Sequence, residues 1–284
     1  MRQWGRRNHE EYLVTIAPDP EVVEAIYEAL DRDDPDQAWG LAREALARSE
    51  ADPVLHYLAG HALAEMDRPA EAAVELQRAS ELEPGDEEFR LHLAWARFRS
   101  CEFEAATAEI QRVKQTQPPV AELHHVRGLC IERSGDLEGA DREFLRAAEL
   151  DSEIFPAPSR FSSQEFEQQL EVARETLDEK FRRQLDQVTI LVEDLPSVAL
   201  LTEESPPLDP EHLLGLFSGV PLSLQDSFST GGELPPRIHL FKRNLERYTS
   251  SAEELAEQIR VTLYHELGHY LGMTEEELEQ SGYA

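Results

Sequence analysis

The chain has 284 residues, 40% of them hydrophobic, with 27 Lys and Arg against 58 Asp and Glu and a formal net charge of −31. A single core rarely grows beyond about 250–300 residues, so this length suggests two domains. The acidic excess repels phosphate backbones and anionic membrane surfaces, which argues against nucleic-acid and membrane partners and leaves neutral or basic proteins and peptides.

The first seven residues are basic, but Asn8, His9, Glu10 and Glu11 follow where a signal peptide would be apolar, and no run of about 18 apolar residues occurs further on. Residues 1–18 read as an N-terminal extension. A repeat then begins. Gly60 stands before Ala72, Leu76, Ala79 and Pro84; a shift of 34 meets Ala94, Ala106, Ile110, Val113 and Pro118; a second shift meets Gly128, Ala140, Phe144, Ala147 and Ser152; a backward shift meets Ile26, Ala38, Ala42, Ala45 and Glu50. Small residues let paired helices approach closely, larger ones fill the gap to the next pair, and prolines stop the second helix. Four helical hairpins are predicted, at 19–50, 52–86, 87–118 and 121–152. Cys101 and Cys130 lie inside them, form no CxxC pair, and read as reduced thiols of a cytoplasmic protein. His56, His61, His124 and His125 sit at spacings poor for a shared ion and read as packing or surface residues.

Pro156 and Pro158 break the pattern, so 155–162 reads as a linker. A helix is predicted over 163–185, because Phe166, Leu170, Ala173, Leu177 and Phe181 recur at helical spacing. The β-branched run 188–192 reads as a strand. Residues 197–233 are rich in Pro and Gly and read as loop, with a helical turn or two over 210–217. A second strand, 237–241, is expected at the sheet edge, where it could pair with an extended substrate. Ser251 and Glu254 form a capping-box pair opening a helix through Leu255, Ile259, Leu263, Leu267 and Leu271, and Gly272 stands where it should stop.

That last helix carries His265-Glu266-Leu267-Gly268-His269. Residues four apart share a helix face, so both imidazoles can reach one zinc ion, with Glu266 beside them as general base. A catalytic zinc needs a third protein ligand and an open position. Gly272 allows a sharp turn, and Glu275 three residues later is the expected third ligand. Glu276, Glu277 and the distant His239 are the alternatives. Tyr264, Tyr270 and Tyr283 are candidate oxyanion donors, better read as packing residues.

Residues 163–284 resemble the bacterial minimal zincins, on segments 192–196, 215–222, 234–243 and 265–272. The resemblance implies zinc at His265 and His269, Glu266 as base, and a polar residue three past the glycine, here Glu275, as third ligand. Residues 19–154 resemble tetratricopeptide-repeat proteins in period and small-residue pattern, without that repeat's Trp and Tyr. The expected fold is thus an all-α solenoid at 19–154, a linker at 155–162 and a small α+β zincin-like domain at 163–284. The expected function is zinc-dependent peptide hydrolysis, with the solenoid groove recruiting a protein or peptide. The competing reading is a non-catalytic zinc-binding adaptor, in which Glu193, His239 or a loop side chain closes the metal's fourth position.

Overall fold

The computed structural model describes residues 19–114, 119–203, 205–222 and 235–281, the side chains of residues 275, 279 and 281 excepted. Residues 1–18, Pro118, residues 223–234 and Tyr283 lie outside the described residues. The chain divides into two compact units, 1–155 and 156–284. No described helix is long and apolar enough to cross a membrane.

The first unit is a series of helical hairpins: α1 Pro20–Asp31 with α2 Pro35–Leu46, α3 Pro53–Glu65 with α4 Pro69–Leu82, α5 Glu87–Arg99 with α6 Phe103–Arg112, and α7 Ala121–Arg133 with α8 Leu137–Leu150. Aspartates start many of them. Asp19, Asp34, Asp52, Asp86 and Asp136 each accept a backbone N–H of the following turn, satisfying donors with no helical partner, and Pro follows the cap in α1, α2 and α3. The small residues act as expected. A Cβ on Gly60 would lie 2.6 Å from Leu76 Cγ, and one on Gly128 would lie 2.8 Å from the Phe144 ring. The turn inside each hairpin carries a left-handed residue at the same period: Asp33, Asp67, Cys101 and Gly135 have φ of 63°, 55°, 62° and 90°. Only the last is a glycine, so this beat is hidden in the residue types.

The first helices of successive hairpins form one layer. Tyr57 of α3 stacks on Phe89 and His92 of α5 at 4.8 and 5.1 Å and donates its hydroxyl to Glu88 at 3.0 Å. Trp95 of α5 lies 5.8 Å from His125 of α7. Burial, with Glu88 nearby, pushes the Glu122 carboxyl of α7 up to about 8, and burial pushes the His61 imidazole down to about 4.

The second unit is α+β. Its helices are α9 Ser163–Thr176, α10 Glu179–Leu185, α11 Val198–Leu201, α12 Lys242–Arg247, α13 Ala252–Leu271 and α14 Glu275–Ser281; its strands are β1 Thr189–Glu193, β2 Gly215–Ser218 and β3 Arg237–Phe241. Three expectations are corrected. The helix over 163–185 is two helices, broken where Leu177 turns extended and Asp178 N–H donates to the Tyr264 hydroxyl at 2.9 Å. The turn expected within 210–217 is confined to its start, where the Leu213 N–H donates to the Asp209 carbonyl, and 215–218 is strand β2. The strand 237–241 is not an edge: the order is β1-β3-β2, with β3 parallel to β1 and antiparallel to β2. Its Ile238 and Leu240 are fully buried in one core with Phe166, Leu170, Leu177, Leu263 and Leu267, which puts β3 at the centre.

Residues 156–162 are tied to this unit by α12. The Glu246 side chain, fully buried, accepts from Lys242 Nζ at 2.5 Å, Arg160 Nη1 at 3.1 Å and the Phe161 N–H at 3.0 Å, and its carbonyl accepts from the Ser159 N–H. Two cations and a backbone donor compensate the carboxylate, as a buried charge requires.

Candidate metal centre

The α13 helix positions the motif. Ser251 Oγ accepts from the Glu254 N–H, while the Glu254 carboxylate turns to Ser250 instead of completing a capping box on Ser251. Leu255, Ile259, Leu263 and Leu267 are fully buried. Facing away from that stripe, His265 and His269 are half-buried and project side by side, one turn apart. Their Nε2 atoms stand 3.1 Å apart. Two nitrogens at about 2.0–2.1 Å from a tetrahedral ion stand about 3.3 Å apart, so the pair fits one zinc.

Gly272 ends the helix in the left-handed region, φ 86°, which favours glycine. The chain turns back there, and the Gly272 and Met273 N–H groups donate to the His269 and Gly268 carbonyls. Gly268 lies under the return: a Cβ there would stand 2.2 Å from Leu278 Cδ2, so Leu278 of α14 would have to shift to admit it. Glu275 opens α14, and its side chain lies outside the described residues. Among the alternatives, the Glu277 carboxylate accepts from the Thr274 N–H at 2.9 Å and hydroxyl at 3.3 Å, while Thr274 Oγ1 accepts from the Glu277 N–H. That reciprocal cap commits Glu277. Among the described residues, no three His, Cys, Asp or Glu side chains gather as a metal-binding group.

His239 is committed elsewhere. Its Nδ1 lies 2.6 Å from Glu193 Oε2 and its Nε2 lies 3.1 Å from Ser218 Oγ, joining one residue from each strand. Side chains alternate along a strand, so His239 faces away from Ile238 and Leu240, which pack with α13. Neither His239 nor its partner Glu193 is turned to the histidine pair. Tyr264 and Tyr270 are buried; Tyr264 packs edge-on to Phe181 and accepts from Asp178, and Tyr270 lies 5.7 Å from the Phe217 ring.

Glu266 is buried against β2, and the Phe217 N–H donates to its Oε2 at 2.6 Å. Gly215 permits this approach, since a Cβ there would lie 2.5 Å from Thr262 Cγ2 and 3.2 Å from Glu266 Cγ. Sequence reasoning missed this contact because its donor is a backbone amide, which every residue but proline carries. The one available signal was a glycine in an otherwise apolar stretch, which marks a close backbone approach.

Comparison with known families covers both units. Residues 185–283 match the family described as zincin-like metallopeptidase, and residues 63–130 match the tetratricopeptide repeat. No curated protein matches the chain. Among solved structures, MamA (residue 41 to the end) from Desulfovibrio magneticus RS-1 is 20% identical, with a TM-score of 0.42, over 48% of this chain and 79% of that one. YrrB, described as a TPR protein with an unusual peptide-binding site, is also 20% identical, with a TM-score of 0.42, over 48% of this chain and 70% of that one. The chain therefore carries a zincin-like metallopeptidase domain at residues 185–283, C-terminal to tetratricopeptide repeats at residues 63–130.

Proposed function

We propose that the chain is a zinc-dependent peptidase whose repeat unit recruits a protein or peptide. The observation that carries this reading is the convergence of the His265 and His269 Nε2 atoms beside a buried glutamate held against an edge strand. His265, His269 and Glu275 would hold the ion. When bound, zinc supplies Lewis acidity, lowering the pKa of water in the site toward about 7 and polarising the scissile carbonyl. Glu266 takes the proton of the attacking water and delivers it to the leaving amine nitrogen. The edge of β2, beyond which no further strand lies among the described residues, orients an extended substrate by backbone pairing. The repeats supply affinity through the first-helix layer, where Glu65 and Glu122 retain 29% and 23% side-chain exposure.

The adaptor reading needs a protein side chain closing the fourth position. Glu193 and His239 are spent on one another, which supports the open site. The test is Glu266→Gln. It should keep the metal of the wild type and lose about 10²–10⁴-fold of turnover on an unbiased peptide library. Full turnover in that variant would overturn the peptidase reading. Recruitment is tested by Glu65→Lys, which should raise KM for protein substrates and leave short peptides unaffected.

A further inference from the structure

Paired antiparallel strands alternate between residues whose N–H and C=O groups face each other and residues whose groups face away. The Phe241 N–H donates to the Leu214 carbonyl, so the pairs 214/241 and 216/239 are the bonded ones. Gly215, opposite Leu240, and Phe217, opposite Ile238, flank the 216/239 pair on either side and aim their backbone groups away from β3. No further strand lies beyond β2 among the described residues. The outward N–H of Phe217 is therefore the donor that an added strand would use first, and Glu266 holds it at 2.6 Å from a helix 49 residues along the chain.

We propose that the Phe217 amide is a positioning group for Glu266 and that an extended peptide must displace it: the docking strand's carbonyl takes the Phe217 N–H, and Glu266 turns from the strand toward its task in the same event. This rests on the peptidase reading for what the docked strand is. It adds a substrate class. A hydrogen bond to a carboxylate is about twice as strong as one to a neutral carbonyl, so one peptide carbonyl does not win the exchange alone. The remainder comes from pairing along the rest of β2, whose four residues span about 13 Å at the ordinary rise per residue. The site thus selects extended, strand-forming segments and leaves dipeptides with the amide still on Glu266.

The test uses the metal-free full chain, with Phe217 followed by amide exchange and by its amide resonance in phenylalanine-labelled protein. In wild type and in Glu266→Gln, whose side-chain oxygen still accepts, the amide should be protected. In Glu266→Ala it should exchange about 10–100-fold faster. The probe is an acetylated, amidated Val-Thr hexapeptide. It should shift the Phe217 resonance and bind Glu266→Ala about tenfold more tightly than wild type, while an acetylated dipeptide shifts neither. Phe217→Pro, at an outward-facing edge position where proline is tolerated, should bind hexapeptide and dipeptide equally weakly. Three results overturn the proposal: a wild-type amide exchanging as fast as in Glu266→Ala, a Glu266→Ala chain that binds the hexapeptide no more tightly, or a Phe217→Pro chain that binds it as wild type does. These readouts need neither metal nor turnover, so a chain that fails to hydrolyse peptides sinks the peptidase reading while the exchange data still judge the amide.

Discussion

The two units solve the burial problem in opposite ways. The repeat unit reuses its solutions: a small residue on a first helix faces a larger one on the second, as Gly60 faces Leu76 and Gly128 faces Phe144, and a left-handed residue turns each hairpin every 34 residues. The zincin-like unit uses each device once. Glu246 gathers Lys242, Arg160 and the 159–161 backbone, His239 joins three strands, and Glu266 reaches across to β2. A repeated solution spreads its energy over many similar contacts, whereas a single-use one concentrates it in a few buried polar groups. Substitutions should therefore be graded differently in the two units.

The largest effect is expected at Glu246. Glu246→Ala leaves two cations facing an uncompensated pocket and should cost about 3–5 kcal/mol, seen as an early urea transition of the second unit with the repeat helices intact. Gly60→Ala should cost less. It gains about 1 kcal/mol of helix propensity but forces Leu76 Cγ from 2.6 Å, with the Ala72 carbonyl at 3.2 Å also in the way. Overpacking of about 1–3 kcal/mol leaves a net loss of up to about 2 kcal/mol. A stabilised Gly60→Ala would break the packing account.

Glu122 gives a pH signature of similar or smaller size. Its folded value, about 8, lies above the ordinary 4.5. A raised carboxyl contributes stability that is fully present below about 4.5 and is lost as pH rises to about 8, because only the unfolded chain ionises freely in that window. With 23% of the side chain still exposed, the loss should be about 1–2 kcal/mol, and Glu122→Gln should flatten it; a parallel slope in both chains would contradict this. The smallest effect is expected at Cys101, where φ is 62°. Cys101→Gly relieves about 1 kcal/mol of left-handed strain, partly offset by the entropy of the unfolded glycine, and should raise the melting temperature slightly.

The same contrast explains what could be read in the sequence. The hairpins were legible because their packing recurs with a fixed period. The break at Leu177 was not, because Leu177 continues the apolar ladder and is buried even where the backbone turns extended. The place of β3 was not legible either: polar His239 between apolar neighbours reads as a half-exposed edge, yet it is buried on Glu193 and Ser218. The pairing of His265 with His269 follows from helical geometry alone. The hold on Glu266 does not, since it depends on sheet order and on which amides of β2 face outward.

The central claim is that one face of α13 is a zinc site. Its most direct test is the zinc content of the purified full chain after equilibration with zinc and removal of excess, for wild type, Glu266→Gln, His265→Ala and His269→Ala. The account expects about one zinc per chain in the first two and none retained in the histidine variants. A wild-type chain that retains no zinc, or histidine variants that retain it as wild type does, would contradict it.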